Sequence, residues 1–157
     1  MNFMQTVIGF LGRACLSAIF IFAAIQKIWD WNGTEQMLSN TLEQSLTVFH
    51  DMEWMRPLLE QMVMWSPVLL LISTSFELLG GLLIFLGIKV RVGALMLLFF
   101  LIPATFFFHH FWVLEGAERE LQMIMFMKNL SIFGGLLLLL AYGKDKKSAK
   151  APSAKPA

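Results

Sequence analysis

The fold is decided by residues 66–91, which read SPVLLLISTSFELLGGLLIFLGIKVR. Ser66 followed by Pro67 is typical of a helix start, because proline suits the first helical turn. The apolar run that follows, 66–88, is long enough to cross a membrane, which requires about 20 residues. A second apolar run, 90–108, begins after a turn so short that the two runs must be antiparallel neighbours. The stretch therefore predicts a membrane-spanning helical hairpin.

The composition of the whole chain also indicates a membrane protein. Of its 157 residues, 57% are hydrophobic and 15% are charged, whereas soluble proteins contain about 45–50% apolar and about 25% charged residues. Two further apolar runs flank the hairpin, one at 6–28 and one at 121–142. We therefore predict an all-α membrane protein in which a four-transmembrane-helix bundle occupies residues 1–143.

Charge and cysteine content exclude several classes of function. The formal net charge is only +1, so the chain lacks the basic excess that a nucleic-acid partner requires. Cys15 is the single cysteine, which excludes a disulfide within the chain and a paired-cysteine redox motif.

The distribution of lysine and arginine predicts the orientation of the bundle. The turn at 89–91 and the tail after Tyr142 are basic, whereas the two loops that face the other way are acidic. Because cytoplasmic loops carry the excess of basic residues, both termini are predicted to be cytoplasmic. The segment 144–157 consists mainly of Lys, Ala, Ser and Pro and is predicted to be a basic, disordered cytoplasmic tail.

The loop between the first and second spans contains a helical pattern of its own. Asn32, followed three residues later by Glu35, is typical of a helix cap. Apolar residues then recur at spacings of four, four and three: Leu38, Leu42, Leu46 and Phe49. This spacing forms one face of a helix, so we predict an external amphipathic helix over the mouth of the bundle.

Glu77 is the most informative polar residue within the spans, since it lies near the middle of its run. A charge at this depth costs about 2.5–3.5 kcal/mol, so Glu77 is expected to face the interior and to be ionised against a partner. Arg13 on the first span and Lys128 on the fourth are the predicted partners, because both lie within reach by depth. Lys27 is predicted to extend to the outer interface instead. In the alternative interpretation, the buried pair only fixes the register of the helices.

Three more residues complete the predicted polar cluster. Asn129 lies beside Lys128, and His109 and His110 end the third span. The histidine pair lacks a clear third ligand, so no metal site is predicted. Alternatively, the two histidines are polar residues at the membrane interface.

Four short motifs occur in order along the chain. They are LGR at 11–13, ELLGGLL at 77–83, HHF at 109–111 and KNL at 128–130. In their order and spacing the chain resembles the DoxX family of small bacterial four-span membrane proteins. The resemblance implies a bundle in the bacterial inner (cytoplasmic) membrane and an association with respiratory or thiol redox systems. Relatives in the family include a subunit that resembles part of a thiosulfate:quinone oxidoreductase. The similar vitamin K reductase bundle uses cysteine pairs that this chain lacks, so independent thiol–disulfide catalysis is not expected.

These observations predict an accessory subunit of a membrane redox complex rather than an independent enzyme. Quinone is the candidate cofactor, with the buried charges at its head group and apolar walls from Phe100, Phe107 and Phe108. Two alternatives stay open: a binder or carrier of a small anion, lipid or proton, and a structural membrane anchor or assembly factor. The expected partners are the lipid bilayer together with other membrane or redox-complex subunits or a second copy of the chain.

Overall fold

The computed structural model describes residues 3–143, and the predicted tail at 144–157 lies outside the described residues. Within this part the chain forms six α-helices and one short 3-10 turn, Phe111–Val113, with no strand. The helices are α1 (Phe3–Trp29), α2 (Trp31–Val48), α3 (Arg56–Met64), α4 (Ser66–Leu86), α5 (Val90–Phe108) and α6 (Gly116–Tyr142).

Four of these helices, α1, α4, α5 and α6, are long and apolar enough to cross a membrane. The predicted all-α, four-span fold is therefore confirmed. The bounds of α5 coincide with the predicted run, whereas α6 begins at Gly116 rather than at residue 121. The added turn is polar because it contains Glu118, Arg119 and Glu120.

The spanning helices pack in chain order, α1 on α4, α4 on α5 and α5 on α6. Arg91 donates from Nε to the carbonyl of Gly143 at 3.2 Å and from Nη2 to that of Ala141 at 3.1 Å. These bonds satisfy carbonyls that the end of α6 leaves free. They also place that end beside the α4–α5 turn, which we call the turn end of the bundle. The opposite end carries α2 and α3 and is called the loop end. The assignment of the turn end to the cytoplasm stays a prediction.

Close contact between glycines holds the hairpin together toward the turn end. A Cβ atom added to Gly93 on α5 would lie 2.8 Å from the carbonyl oxygen of Gly80 on α4. One added to Gly81 would lie 2.9 Å from Ile21 on α1. Small residues allow such approach of membrane helices. Gly134 on α6 differs, since a Cβ atom added there would meet no atom of another helix within 4 Å in the described part of the chain.

Helix α2 has the predicted amphipathic face but a different cap. The side chain of Asp30, not of Asn32, accepts a hydrogen bond from the backbone N–H of Gly33, at 3.1 Å. Asp30 directly follows the end of α1, so it occupies the cap position and Asn32 falls inside the helix. Leu42 and Phe49 are buried on this face. The location of α2 outside the membrane stays a prediction.

We expect Gly93→Ala to lower the free energy of unfolding by about 1–3 kcal/mol, because the added methyl group has no room beside the α4 backbone. Gly134→Ala is the matched control, since it gains the same helix propensity, about 1 kcal/mol, in open space. Unfolding of both variants in mixed detergent micelles measures the difference. Equal stability of the two variants would contradict the close approach of α4 and α5.

Candidate functional site

The site centres on an ion pair between α1 and α4. Lys27 Nζ donates a hydrogen bond to Glu77 Oε2. The Glu77 side chain is 2% exposed and that of Lys27 is 22% exposed. The ammonium group also lies over the ring of Phe100 on α5, 4.9 Å from its centroid, a favourable cation–π distance. The pair thus joins three of the four spanning helices.

This geometry corrects the sequence-based expectation about the partner. Glu77 is buried and paired as predicted, but its partner is Lys27 rather than Arg13 or Lys128, and Lys27 does not extend to the interface. Within residues 3–143, Nε of Arg13 is buried without a hydrogen-bond partner. Lys128 is exposed, and its Nζ donates to the sulfur of Met125 at 3.6 Å.

The direction of the side chains explains the difference. In an α-helix each Cα–Cβ bond tilts toward the N-terminus. Lys27 lies near the C-terminal end of α1, so this tilt directs it toward the middle of the bundle. Glu77 and Lys128 lie on helices that begin at the loop end, so both tilt toward that end. Glu77 therefore meets Lys27, whereas Lys128 extends along its own helix toward Met125.

A cavity of about 500 Å³ lies beside the ion pair, between the spanning helices and α2. Its volume is within the range of small-molecule sites. Most of its lining is apolar and includes the three phenylalanines that the sequence suggested as walls, Phe100, Phe107 and Phe108. The polar residues of the lining are Lys27, Thr34, Ser73, Glu77, His109 and Asn129.

The structure brings three of the six predicted site residues to this cavity: Glu77, His109 and Asn129. Asn129 Nδ2 donates to Thr105 Oγ1 at 3.0 Å. His109 Nδ1 lies 2.7 Å from the amide oxygen of Gln122, a bond that is made by the tautomer with the proton on Nδ1 because an amide oxygen only accepts. In the neutral ring, Nε2 is then the acceptor.

The other three predicted residues are not part of the cavity lining. Arg13 and Lys128 lie elsewhere on α1 and α6, as described above. His110 follows α5, and its Nδ1 donates to the carbonyl of Phe107 at 2.8 Å. Its ring lies edge-on to Phe49 and Trp112, with centroids 6.4 and 6.5 Å away. His110 therefore packs among aromatic residues at the loop end.

Lys27 is the residue of the candidate site that the sequence did not reveal. Its position near the end of a span suggested an interfacial lysine. The direction of its helix is the signal that could have identified it. Side chains in a helix point back toward the N-terminus, so a lysine near the C-terminal end of a span points into the membrane and away from the nearer interface.

We expect Lys27→Met to destabilise the bundle by about 3–5 kcal/mol, because it leaves the buried carboxylate of Glu77 without a partner. Glu77→Leu should cost a similar amount by stranding Lys27. The double variant should be more stable than either single one, since neither charge remains. Lys128→Met is the control and should change stability little. If Lys27→Met and Lys128→Met lowered the free energy of unfolding equally, the ion pair would not contribute to the stability of the bundle.

Comparison with known proteins agrees with this architecture. The DoxX family model matches residues 8–110, which include most of α1, all of α4 and α5, and the ion pair. The chain is also similar to the inner membrane protein YphA of Escherichia coli (strain K12), with 27% identity over 139 residues that cover 88% of this chain and 85% of YphA. No solved structure matches the chain. The predicted location as a multi-pass protein of the cytoplasmic membrane is confirmed, and the chain belongs to the DoxX family.

Proposed function

We propose that the chain is an accessory subunit of a membrane redox complex and that its cavity binds the head group of a quinone. The observation that carries this proposal is a mostly apolar cavity whose wall contains the half-buried ammonium group of Lys27 paired with the buried carboxylate of Glu77. Small-molecule sites usually combine apolar walls with a few convergent polar groups. A quinone matches this combination, because its flat ring is apolar on both faces and carries carbonyl oxygens at its edge.

Lys27 is the group best suited to bind a carbonyl oxygen. An ammonium group has three N–H donors, and among the described residues only Glu77 accepts a hydrogen bond from it. The remaining donors are available to a ligand in the cavity. Glu77 holds the ammonium in place, while Phe100 and the edge-on ring of Phe20, 6.4 Å from Phe100, supply an apolar wall.

His109, which directly follows α5, and Asn129 on α6 supply further polar groups. In the tautomer that donates from Nδ1 to Gln122, Nε2 of His109 can accept a hydrogen bond from a quinol hydroxyl group. Asn129 uses one amide N–H on Thr105 and keeps its oxygen and its second N–H. Lys27 thus offers a donor and His109 an acceptor. This combination suits a quinone, whose carbonyl oxygens become hydroxyl groups when it is reduced.

The balance of charge favours quinone over a small anion. Lys27 and Glu77 neutralise each other, so the lining carries no net positive charge when His109 is neutral. A small inorganic anion would also leave most of the apolar wall without contact. The structural-anchor alternative requires only the ion pair and assigns no role to the cavity.

The test is the amount of quinone that remains with the protein after purification in mild detergent. We expect bound quinone in the unmodified chain and at least a roughly tenfold loss in Lys27→Met, because a hydrogen bond from a charged donor contributes about 1.5–3 kcal/mol. Lys128→Met is the matched control, since it removes a span lysine outside the cavity, and it should retain quinone.

The double variant Lys27→Met with Glu77→Leu separates binding from folding. Its charges are removed together, so the bundle should form while the donor for the ligand is absent. Loss of quinone from this folded variant supports the proposal. An unmodified protein without quinone, or full retention in the double variant, would contradict it.

A further inference from the structure

We propose that the ligand enters the cavity sideways, from the membrane between α4 and α5, and that it bears a hydrocarbon chain that stays in this opening. The inference rests on the proposed quinone function and specifies the class of ligand: a lipid-soluble molecule with a chain rather than a water-soluble ring compound.

The two helices of the hairpin are in close contact at one end and border the cavity toward the other. Gly80 and Gly93 bring their backbones into contact toward the turn end. Toward the loop end, Ser73 and Phe76 of α4 and Ala104 of α5 line the cavity. Toward the loop end, the facing sides of α4 and α5 therefore border the cavity.

The lining residues at this gap are also exposed on the outside of the bundle. Ile72 on α4 is 47% exposed and Phe99 on α5 is 63% exposed, yet both line the cavity. Pro103, one turn beyond Phe99, is exposed and lines the cavity as well. Of the five lining residues that are exposed within residues 3–143, three lie on the hairpin, and the others are Ile19 on α1 and Met37 on α2. The hairpin is therefore the side of the bundle with most of the exposed lining.

The opening lies at the depth of the hydrocarbon layer. Ile72 is six residues from the start of α4 and Phe99 is nine from the end of α5, or about 9 and about 14 Å at 1.5 Å per residue. The hydrocarbon layer is about 30 Å thick, so the opening leads to lipid tails. Its edge is apolar, whereas Lys27 and Glu77 lie inside.

The loop end of the cavity is covered by helix α2. Thr34, Leu38 and Leu42 line the cavity from that side, and Leu42 is 1% exposed. A ligand with a long apolar chain would have to pull that chain out of the membrane to enter beneath α2. Entry between α4 and α5 leaves the chain among lipids and brings the head group directly to Lys27.

Photolabelling in lipid bilayers tests the route. The probe is a benzoquinone whose hydrocarbon chain carries a diazirine close to the ring. We expect labelling of α4 and α5 peptides around Ile72 and Phe99 that excess unlabelled quinone abolishes. Ile72→Trp, which fills the opening, should reduce this labelling roughly tenfold, a change of about 1.4 kcal/mol in binding. Leu71→Trp is the control, because Leu71 is 57% exposed on the same helix and does not line the cavity.

Each outcome decides between the two proposals. Competed labelling at α4 and α5 that only Ile72→Trp reduces supports sideways entry. Competed labelling confined to α2 and α3, or to α1 and α6, shows that a quinone binds but enters by another route, which overturns entry between α4 and α5 alone. Labelling that excess quinone does not reduce anywhere overturns the quinone site as well.

Discussion

The ion pair between Lys27 and the buried Glu77 is the interaction on which the rest of the structure depends. A lone carboxylate in the middle of a membrane helix costs about 2.5–3.5 kcal/mol, so Glu77 requires a partner from another helix. Lys27 provides it because α1 and α4 run in opposite directions and their side chains tilt toward each other. The same contact fixes the position of α1 on α4 and places an ammonium group beside an apolar cavity. Packing and the candidate chemistry thus share one pair of residues.

The shape of the cavity follows from where the helices touch. Glycine contacts bring α4 close to α1 and α5 toward the turn end. A Cβ atom added to Gly135 on α6 would lie 3.5 Å from Leu16 on α1, an ordinary contact distance. Farther along both helices, Phe20 and Lys27 of α1 and Ile132 of α6 line the cavity. The bundle is therefore closed at one end and hollow toward the other, where α2 covers it.

The sequence was sufficient for the four spans and for the amphipathic face of α2, because both depend on the periodicity of apolar residues along single helices. It was sufficient to predict that Glu77 is buried and paired, since the energetic cost of an exposed charge in lipid holds for any fold. It was not sufficient to identify which residue pairs with Glu77. Depth along the spans favoured Arg13 and Lys128 and assigned Lys27 to the interface, but the choice of partner depends on helix direction and rotation, which place Lys27 inside and Lys128 outside. The cap of α2 was missed for a similar reason, because the end of α1 decides that Asp30 takes the cap position.

The most direct test of the central claim is a solid-state NMR measurement of the dipolar coupling between isotope-labelled Lys27 Nζ and Glu77 Cδ in lipid bilayers. The account predicts a strong coupling from a lysine nitrogen to the Glu77 carboxyl carbon, which disappears in Lys27→Met and persists in Lys128→Met. A coupling that survives the loss of Lys27, or no coupling in the unmodified protein, would contradict it.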